Sequence, residues 1–277
     1  MSRITRLGAF CYFKHMKRAF LYIDILGFGS LVKTNPEKVD RIFYIIDTLG
    51  VHSHFALKTV VFSDTILVFN QDESRSLDYY VTYLIEYAQQ LFYRLCGINI
   101  YFKGIITYGE FKYSKLSNIE AYYGLALIDT HESEKDLEGF GLFVDKNIAD
   151  EVIVFDRTSY TEKYDFVILC QYLQNLYQHT GGILPIEQHL LTDTDTYHRI
   201  DEDLRFLREI DYLKDNHPSA RAKAKYQKVY DTYKQIMPLF FELFESDGFY
   251  PWLINENYMG SLNPYDLISE SELNEPS

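Results

Sequence analysis

The chain has 277 residues and a formal charge of −13, from 27 basic and 40 acidic side chains, with 47% hydrophobic and 24% charged residues. That apolar content excludes a disordered protein, and the lack of any run of about 18 apolar residues excludes a membrane channel or receptor. An acidic chain is also poorly suited to coating nucleic acid by charge alone, so neither nucleic acid nor membrane is expected as a partner.

Residues 1–17 read as a basic N-terminal arm carrying Arg3, Arg6, Lys14 and Lys17 and no acid. They contain no clean apolar stretch followed by small residues, so a secretory leader is not expected. Three widely spaced cysteines, Cys11, Cys96 and Cys170, fit a reducing, cytoplasmic setting better than a disulfide framework.

Arg18–Asp24 is a short apolar run stopped by Gly27 and Gly29, which predicts a buried strand. After Pro36, the spacing of Val39, Ile42, Phe43, Ile46 and Leu49 predicts a helix that ends at Gly50. Two strands are predicted over 55–62 and 65–70, joined by a tight hairpin at Ser63-Asp64-Thr65. Leu77, Val81, Leu84, Ala88, Leu91 and Leu95 mark a second helix closed by Gly97, and Ile98–Thr107 resumes a strand pattern. The order β-α-β-β-α-β predicts an α+β fold with a ferredoxin-like core. Gly124 opens a predicted helix at 125–136, and Phe140–Val144 a further strand.

From about residue 160 the pattern becomes helical. Phe166–Tyr177 predicts a helix stopped by Gly181-Gly182, and Leu204, Leu207, Ile210 and Leu213 form a second apolar stripe. Tyr226, Tyr230, Tyr233, Met237, Phe240 and Phe244 form a third, bent at Pro238, which reads as core or dimer interface. The expected organisation is an arm at 1–17, a main domain at 18–155, a helical extension at 156–265, and an acidic, disordered tail at 266–277.

Asp24 ends an apolar strand, and Asp64 sits in a hairpin flanked by Val60-Val61-Phe62 and Ile66-Leu67-Val68-Phe69. Carboxylates in such places are costly unless compensated. In a βαββαβ sheet the first strand neighbours the central hairpin, which brings both acids to one edge. Two converging carboxylates make a hard-oxygen site for Mg²⁺ or Mn²⁺, usually completed by substrate phosphates. The competing reading makes Asp64 a turn residue and Asp24 a cap.

The segments Tyr22-Ile-Asp-Ile-Leu-Gly-Phe-Gly-Ser-Leu31 and Phe62-Ser-Asp-Thr-Ile66 resemble the metal-binding signature of class III nucleotide cyclases. Lys103-Gly-Ile-Ile-Thr-Tyr-Gly-Glu110 and Tyr123-Gly-Leu-Ala-Leu-Ile128 resemble the strand and helix start that follow it. The spelling is most similar to the Pycsar pyrimidine cyclases of bacterial antiphage defence, over about residues 18–150. This resemblance implies a class III cyclase core that works as a homodimer with two Mn²⁺ or Mg²⁺ ions. It implies metal ligation by Asp24, Asp64 and the carbonyl of Ile25, and a phosphate cradle at Gly27, Phe28 and Gly29. It also implies a pyrimidine triphosphate substrate, UTP ahead of CTP, and a separate effector switched on by the cyclic product.

The departures from the family pattern are specific. Val60 and Ala121 stand where purine cyclases carry base-reading lysine and acid, and neither can make those hydrogen bonds. Lys58 and Glu120 lie close by and could substitute. Ile128 and Glu132 stand where a supporting Asn and Arg are expected. Lys103 is a candidate phosphate cation, with a solvated surface lysine as the alternative. These departures leave open a purine cyclase with altered base contacts and a non-catalytic cyclase-like module. His52-x-His54 lacks nearby metal-ligand partners, and Gly27-x-Gly29 lacks the third glycine of a dinucleotide fingerprint.

Overall fold

The computed structural model describes residues 17–53, 56–179, 185 and 194–255. The basic arm apart from Lys17, together with His54, Gly181-Gly182 and the tail at 266–277, lies outside the described residues. The first strand, β1 (Lys17–Ile25), is buried along nearly its whole length, which is why it reads as a continuous apolar run. A short helix α1 (Phe28–Thr34) follows, then α2 (Pro36–Asp47). Asn35 starts α2 by accepting the Lys38 N–H at 3.0 Å, with Pro36 pre-set at the first helical position.

Strands β2 (Leu57–Phe62) and β3 (Thr65–Asn70) form the expected hairpin, and α3 (Leu77–Cys96) buries Val81, Leu84, Ala88, Leu91 and Leu95 along one face. The next strand, β4 (Phe102–Glu110), starts four residues later than the sequence predicts. The intervening residues turn under the end of α3, where the N–H groups of Ile98 and Ile100 both donate to Leu95.

In the sheet these four strands run β2-β3-β1-β4, every neighbouring pair antiparallel, as the ferredoxin-like reading requires. The sheet then continues through β7 (Gly141–Asp145), parallel to β4, to β9 (Tyr164–Val167) and β8 (Arg157–Ser159). A small hairpin of β5 (Lys112–Lys115) and β6 (Glu120–Tyr123) and the helix α4 (Leu125–Asp136) connect β4 to β7.

Two features depart from the sequence reading. The helix expected from Phe166 starts only at Gln171, as α5 (Gln171–His179), and Phe166 and Val167 belong instead to the strand Tyr164–Val167. All four residues of β9 are buried, and a strand buried on both faces has no alternation to betray it. The sheet therefore extends past residue 155, where the sequence draws the boundary of the main domain.

The remaining helices are α6 (Thr194–Asn216), α7 (Ala220–Ile236) and α8 (Pro238–Phe244), with the bend at Pro238 as expected. Leu204, Ile210, Tyr233 and Phe241 belong to the same buried cluster as Leu21, Ile23, Val68 and Leu84, so the helical part shares one core with the sheet. The aromatic stripe of α7 packs inward: Tyr233 meets Phe166 at 5.6 Å and Phe206 at 5.4 Å between ring centres. On the other face of the sheet a smaller cluster joins Phe20, Tyr22, Phe69 and Phe111. Among the described residues, no helix is long and apolar enough to cross a membrane.

Candidate active site

Alternation along β1 sends Leu21, Ile23 and Ile25 into the main core and Phe20 and Tyr22 to the smaller cluster. Asp24 continues the second series, at the sheet end where β1 leaves for α1. Strand register places it opposite Thr65 on one side and Lys103 on the other. Phe62 pairs with Thr65 in turn, so one row across the sheet reads Phe62, Thr65, Asp24, Lys103.

Asp64 sits at the hairpin tip beside this row. The tip is fixed to β1 by the Ile25 N–H, which donates to the Asp64 carbonyl at 3.0 Å. Its other turn residue, Ser63, holds φ at +57°, a left-handed conformation that costs a non-glycine residue about 1 kcal/mol. The structure thus brings Asp24 and Asp64 to one edge.

The electrostatics follow from that placement. Burial pushes the Asp24 carboxyl up to about 6, the nearby Glu134 and Asp64 charges push the same way, and Lys103 and Lys225 oppose them. The Tyr22 hydroxyl, on the same face, is also raised by burial, and it shares a 2.9 Å hydrogen bond with Nδ1 of His131 on α4.

A partly buried pair of mutually repelling carboxylates with hard-oxygen donors fits a divalent cation such as Mg²⁺ or Mn²⁺. Among the described residues no group of three His, Cys, Asp or Glu side chains is arranged to hold a metal. Further ligands would therefore come from backbone oxygen or substrate.

Gly27 and Phe28 start α1. Gly27 takes φ +73°, and a Cβ on either Gly27 or Gly29 would meet nothing within 4 Å, so the backbone is open to an incoming group. The Phe28 ring is buried in the core, where it meets Phe43 at 5.9 Å, leaving only its main chain available.

Lys103 is neither the phosphate cation nor the solvated surface lysine between which its sequence position leaves the choice open. It is 3% exposed, and its ammonium donates to the carbonyls of Glu134 at 2.7 Å and Leu137 at 2.6 Å. A 2.9 Å ion pair with the Glu134 carboxylate completes its environment. An ammonium has three N–H donors, and these contacts account for all of them. Lys103 is the anchor that holds the end of α4 against the sheet.

Lys58 and Glu120 do meet. They form a 2.7 Å ion pair that joins β2 to β6, and the Tyr113 hydroxyl accepts from Lys58 and donates to Glu120, each at 2.9 Å. Lys58 also lies 4.1 Å from the centre of the Tyr113 ring, which stacks on Tyr122. Hydrogen bonds from Lys58, Tyr122 and Tyr113 hold the exposed Glu120 carboxyl down at about 2. This cluster lies on the same sheet face as Asp24, in the row that contains Phe69 and Phe20.

Ile128 and Glu132 are both exposed on α4. Lys225, on α7, is a residue that sequence reasoning passed over. Its only signal was the basic run Arg221, Lys223, Lys225, Lys228 in an acidic chain.

No protein-family profile matches the sequence, and no curated protein matches it. Several solved nucleotide cyclase structures are similar in fold. The adenylyl cyclase CyaB from P. aeruginosa aligns at 11% identity and a TM-score of 0.43, over 55% of this chain and 93% of that one. The monomeric guanylyl cyclase domain of the RhoGC fusion protein from Blastocladiella emersonii aligns at 10% identity and a TM-score of 0.46, over 56% and 95%. Adenylate cyclases from Trypanosoma brucei in their monomeric state align at 11% identity and a TM-score of 0.40, over 55% and 87%. A likeness of this degree decides neither substrate nor activity.

Proposed function

We infer that the chain is a metal-dependent nucleotide cyclase, converting a pyrimidine nucleoside triphosphate, UTP ahead of CTP, to its 3′,5′-cyclic monophosphate and pyrophosphate. The observation that carries this reading is the placement of Asp24 and Asp64 at one sheet edge, tied by the Ile25–Asp64 backbone hydrogen bond. Bound there through both carboxylates and the Ile25 carbonyl, Mn²⁺ or Mg²⁺ would supply Lewis acidity toward the ribose 3′-hydroxyl and the triphosphate. The chain's own part is to hold the carboxylates at that edge and to keep the backbone at Gly27 and Gly29 clear for phosphate oxygens.

Pyrimidine preference is supported by Val60, which packs on the smaller apolar cluster and offers a base no hydrogen bond. Polar recognition then falls to the Lys58–Glu120–Tyr113 cluster. A homodimer is supported by the apolar surface around the site: Phe62 is 80% exposed, Leu125 64% and Ile128 54%. The cyclic product would act on a separate effector protein.

A second reading, a non-catalytic nucleotide-binding module, is favoured by Ile128 and Glu132, neither of which can support a phosphoryl-transfer transition state. Incubating the purified protein with each of the four labelled triphosphates and Mn²⁺ separates these readings. Cyclic UMP or CMP, lost in Asp24→Ala and Asp64→Ala, carries the first. Cyclic AMP or GMP replaces it with a purine cyclase, and binding without turnover leaves the module.

A further inference from the structure

The first two turns of α7 lie over the sheet edge that carries Asp24. Three contacts place them there. Leu26, two residues after Asp24, donates its N–H to the Tyr101 carbonyl at 3.0 Å. The Tyr101 ring meets the Tyr226 ring of α7 at 5.9 Å, and Phe140, just before β7, meets Tyr226 at 5.3 Å. Lys225 immediately precedes Tyr226, and it is within electrostatic range of Asp24, Glu134, Lys103 and Arg221.

The cations of α7 divide into two groups. Lys223 donates to the Asp215 carbonyl, Lys228 lies 5.2 Å from the Tyr160 ring centre, and Lys234 pairs with Glu245 at 2.8 Å. Lys225 is half-buried yet has no hydrogen-bond or ion-pair partner among the described residues, and the same holds for the exposed Arg221, one turn earlier.

Withdrawing an ammonium partly from water without a partner is costly. Within range of the Asp24 and Glu134 carboxylates, such a group would ordinarily close to a direct ion pair. Here it stays short of one, with Lys103 taken up by α4 and Lys225 left as the half-buried cation within electrostatic range of Asp24. A polyanion with several oxygens can meet such a cation while its remaining oxygens face the carboxylate-bound metal. A polyphosphate tail has that shape and charge.

The geometry points to Lys225, with Arg221 beside it, as the cation that receives the polyphosphate tail of the substrate, supplied to the site by the helical extension. This assignment rests on the nucleotide reading of the Asp24–Asp64 edge for its substrate, and it deepens that reading by giving α7 a part in binding. Lys225 is a binding residue here; it moves no proton and makes no bond.

The test is calorimetric titration of the full chain with inorganic tripolyphosphate, in chelator and again in Mn²⁺. Lys225→Ala is expected to weaken binding about tenfold or more, the range for losing a charged hydrogen bond, and Lys225→Arg to restore most of it. Lys228→Ala, which removes a cation aimed at Tyr160, should bind as the unaltered chain does. Thermal unfolding of each variant checks that the fold is kept. Tripolyphosphate binding that is equal in Lys225→Ala and the unaltered chain overturns the assignment, as does no binding by the unaltered chain in either buffer. Lys225-dependent binding without turnover of any triphosphate upholds the assignment and overturns the cyclase reading instead.

Discussion

Ile25 and Asp64 are joined through their main chains, the Ile25 N–H donating to the Asp64 carbonyl at 3.0 Å. The bond positions the hairpin tip without using the Asp64 side chain, so the carboxylate remains free for ligation. Asp64→Asn should therefore keep the fold while removing a metal-binding charge. Cyclic product formed with Mn²⁺ is expected to fall at least about a hundredfold in Asp64→Asn and in Asp24→Asn, as the loss of several kcal/mol of metal-borne stabilisation requires. Chromatography of the product, with thermal unfolding alongside, checks this; an active Asp64→Asn enzyme would remove Asp64 from the site.

The Lys58–Glu120 pair gives a separable effect. Both ends are accessible, and the pair links two surface strands, so its loss should change stability little. Lys58→Met or Glu120→Gln should instead alter the ratio of kcat/KM between pyrimidine and purine triphosphates by about tenfold, the scale set by losing a specific polar contact. Parallel assays with four substrates read this directly. Equal losses for every base would move the cluster out of base recognition.

Gly124 is required for a steric reason. A Cβ there would lie 2.1 Å from the Glu110 carbonyl oxygen, and rigid backbone cannot yield as a side-chain tip can. Gly124→Ala should destabilise the protein by about 2 kcal/mol or more, the upper part of the range for overpacking. Gly29→Ala, with open space at its Cβ, should leave the melting temperature nearly unchanged and act only on phosphate binding. Denaturant titration of both variants tests the contrast.

Stability should fall as pH rises toward neutrality, because α6 carries two buried carboxyls, Asp203 and Glu209. Burial pushes Asp203 up to about 7, against hydrogen bonds from Tyr93, the Leu173 N–H and Cys170 that favour its charged form, while the Glu202 charge adds to the rise. Burial likewise pushes Glu209 up to about 7, opposed by the nearby Tyr101 hydroxyl and by the Arg205, Lys38 and Arg208 charges. The ordinary values are 3.8 and 4.5, so between those and about 7 the folded chain holds protons that the unfolded chain has lost. This contribution is complete below about pH 4 and is lost as pH rises through about 7. Asp203→Asn with Glu209→Gln should flatten the dependence of unfolding free energy on pH between 4 and 8. An unchanged slope would show that these groups do not titrate there.

Phe62, on the hairpin beside Asp64, is the most exposed large apolar side chain near the site. If that surface is covered by a second copy, Phe62→Glu should shift the chain from dimer to monomer in sedimentation while leaving the folded protomer intact. A dimer that persists in Phe62→Glu places the interface elsewhere.

Much of this architecture was legible in the residues themselves. The β1 run, the helical spacing in α2 and α3, and the two strands around Ser63-Asp64 each carry a strong local pattern. The pairing of Asp24 with Asp64 followed from topology once the element order was read. Other parts carry no such pattern. β9 is buried on both faces and so lacks alternation, β5 and β6 are short and mostly polar, and α1 contains a glycine that reads as a turn.

Local sequence determined which segments are helices and strands, and through their order it placed two costly carboxylates at one edge of the sheet. It could not determine what surrounds them. Lys103 reads as an available cation from its strand position, but the end of α4 takes all its donors, 31 and 34 residues away in sequence. Lys225 carries no local signal beyond a run of basic residues, yet packing of Tyr226 on Tyr101 and Phe140 brings it to the site. Which charges face a given carboxylate is set by long-range packing of elements against one another, and only the tertiary structure decides that.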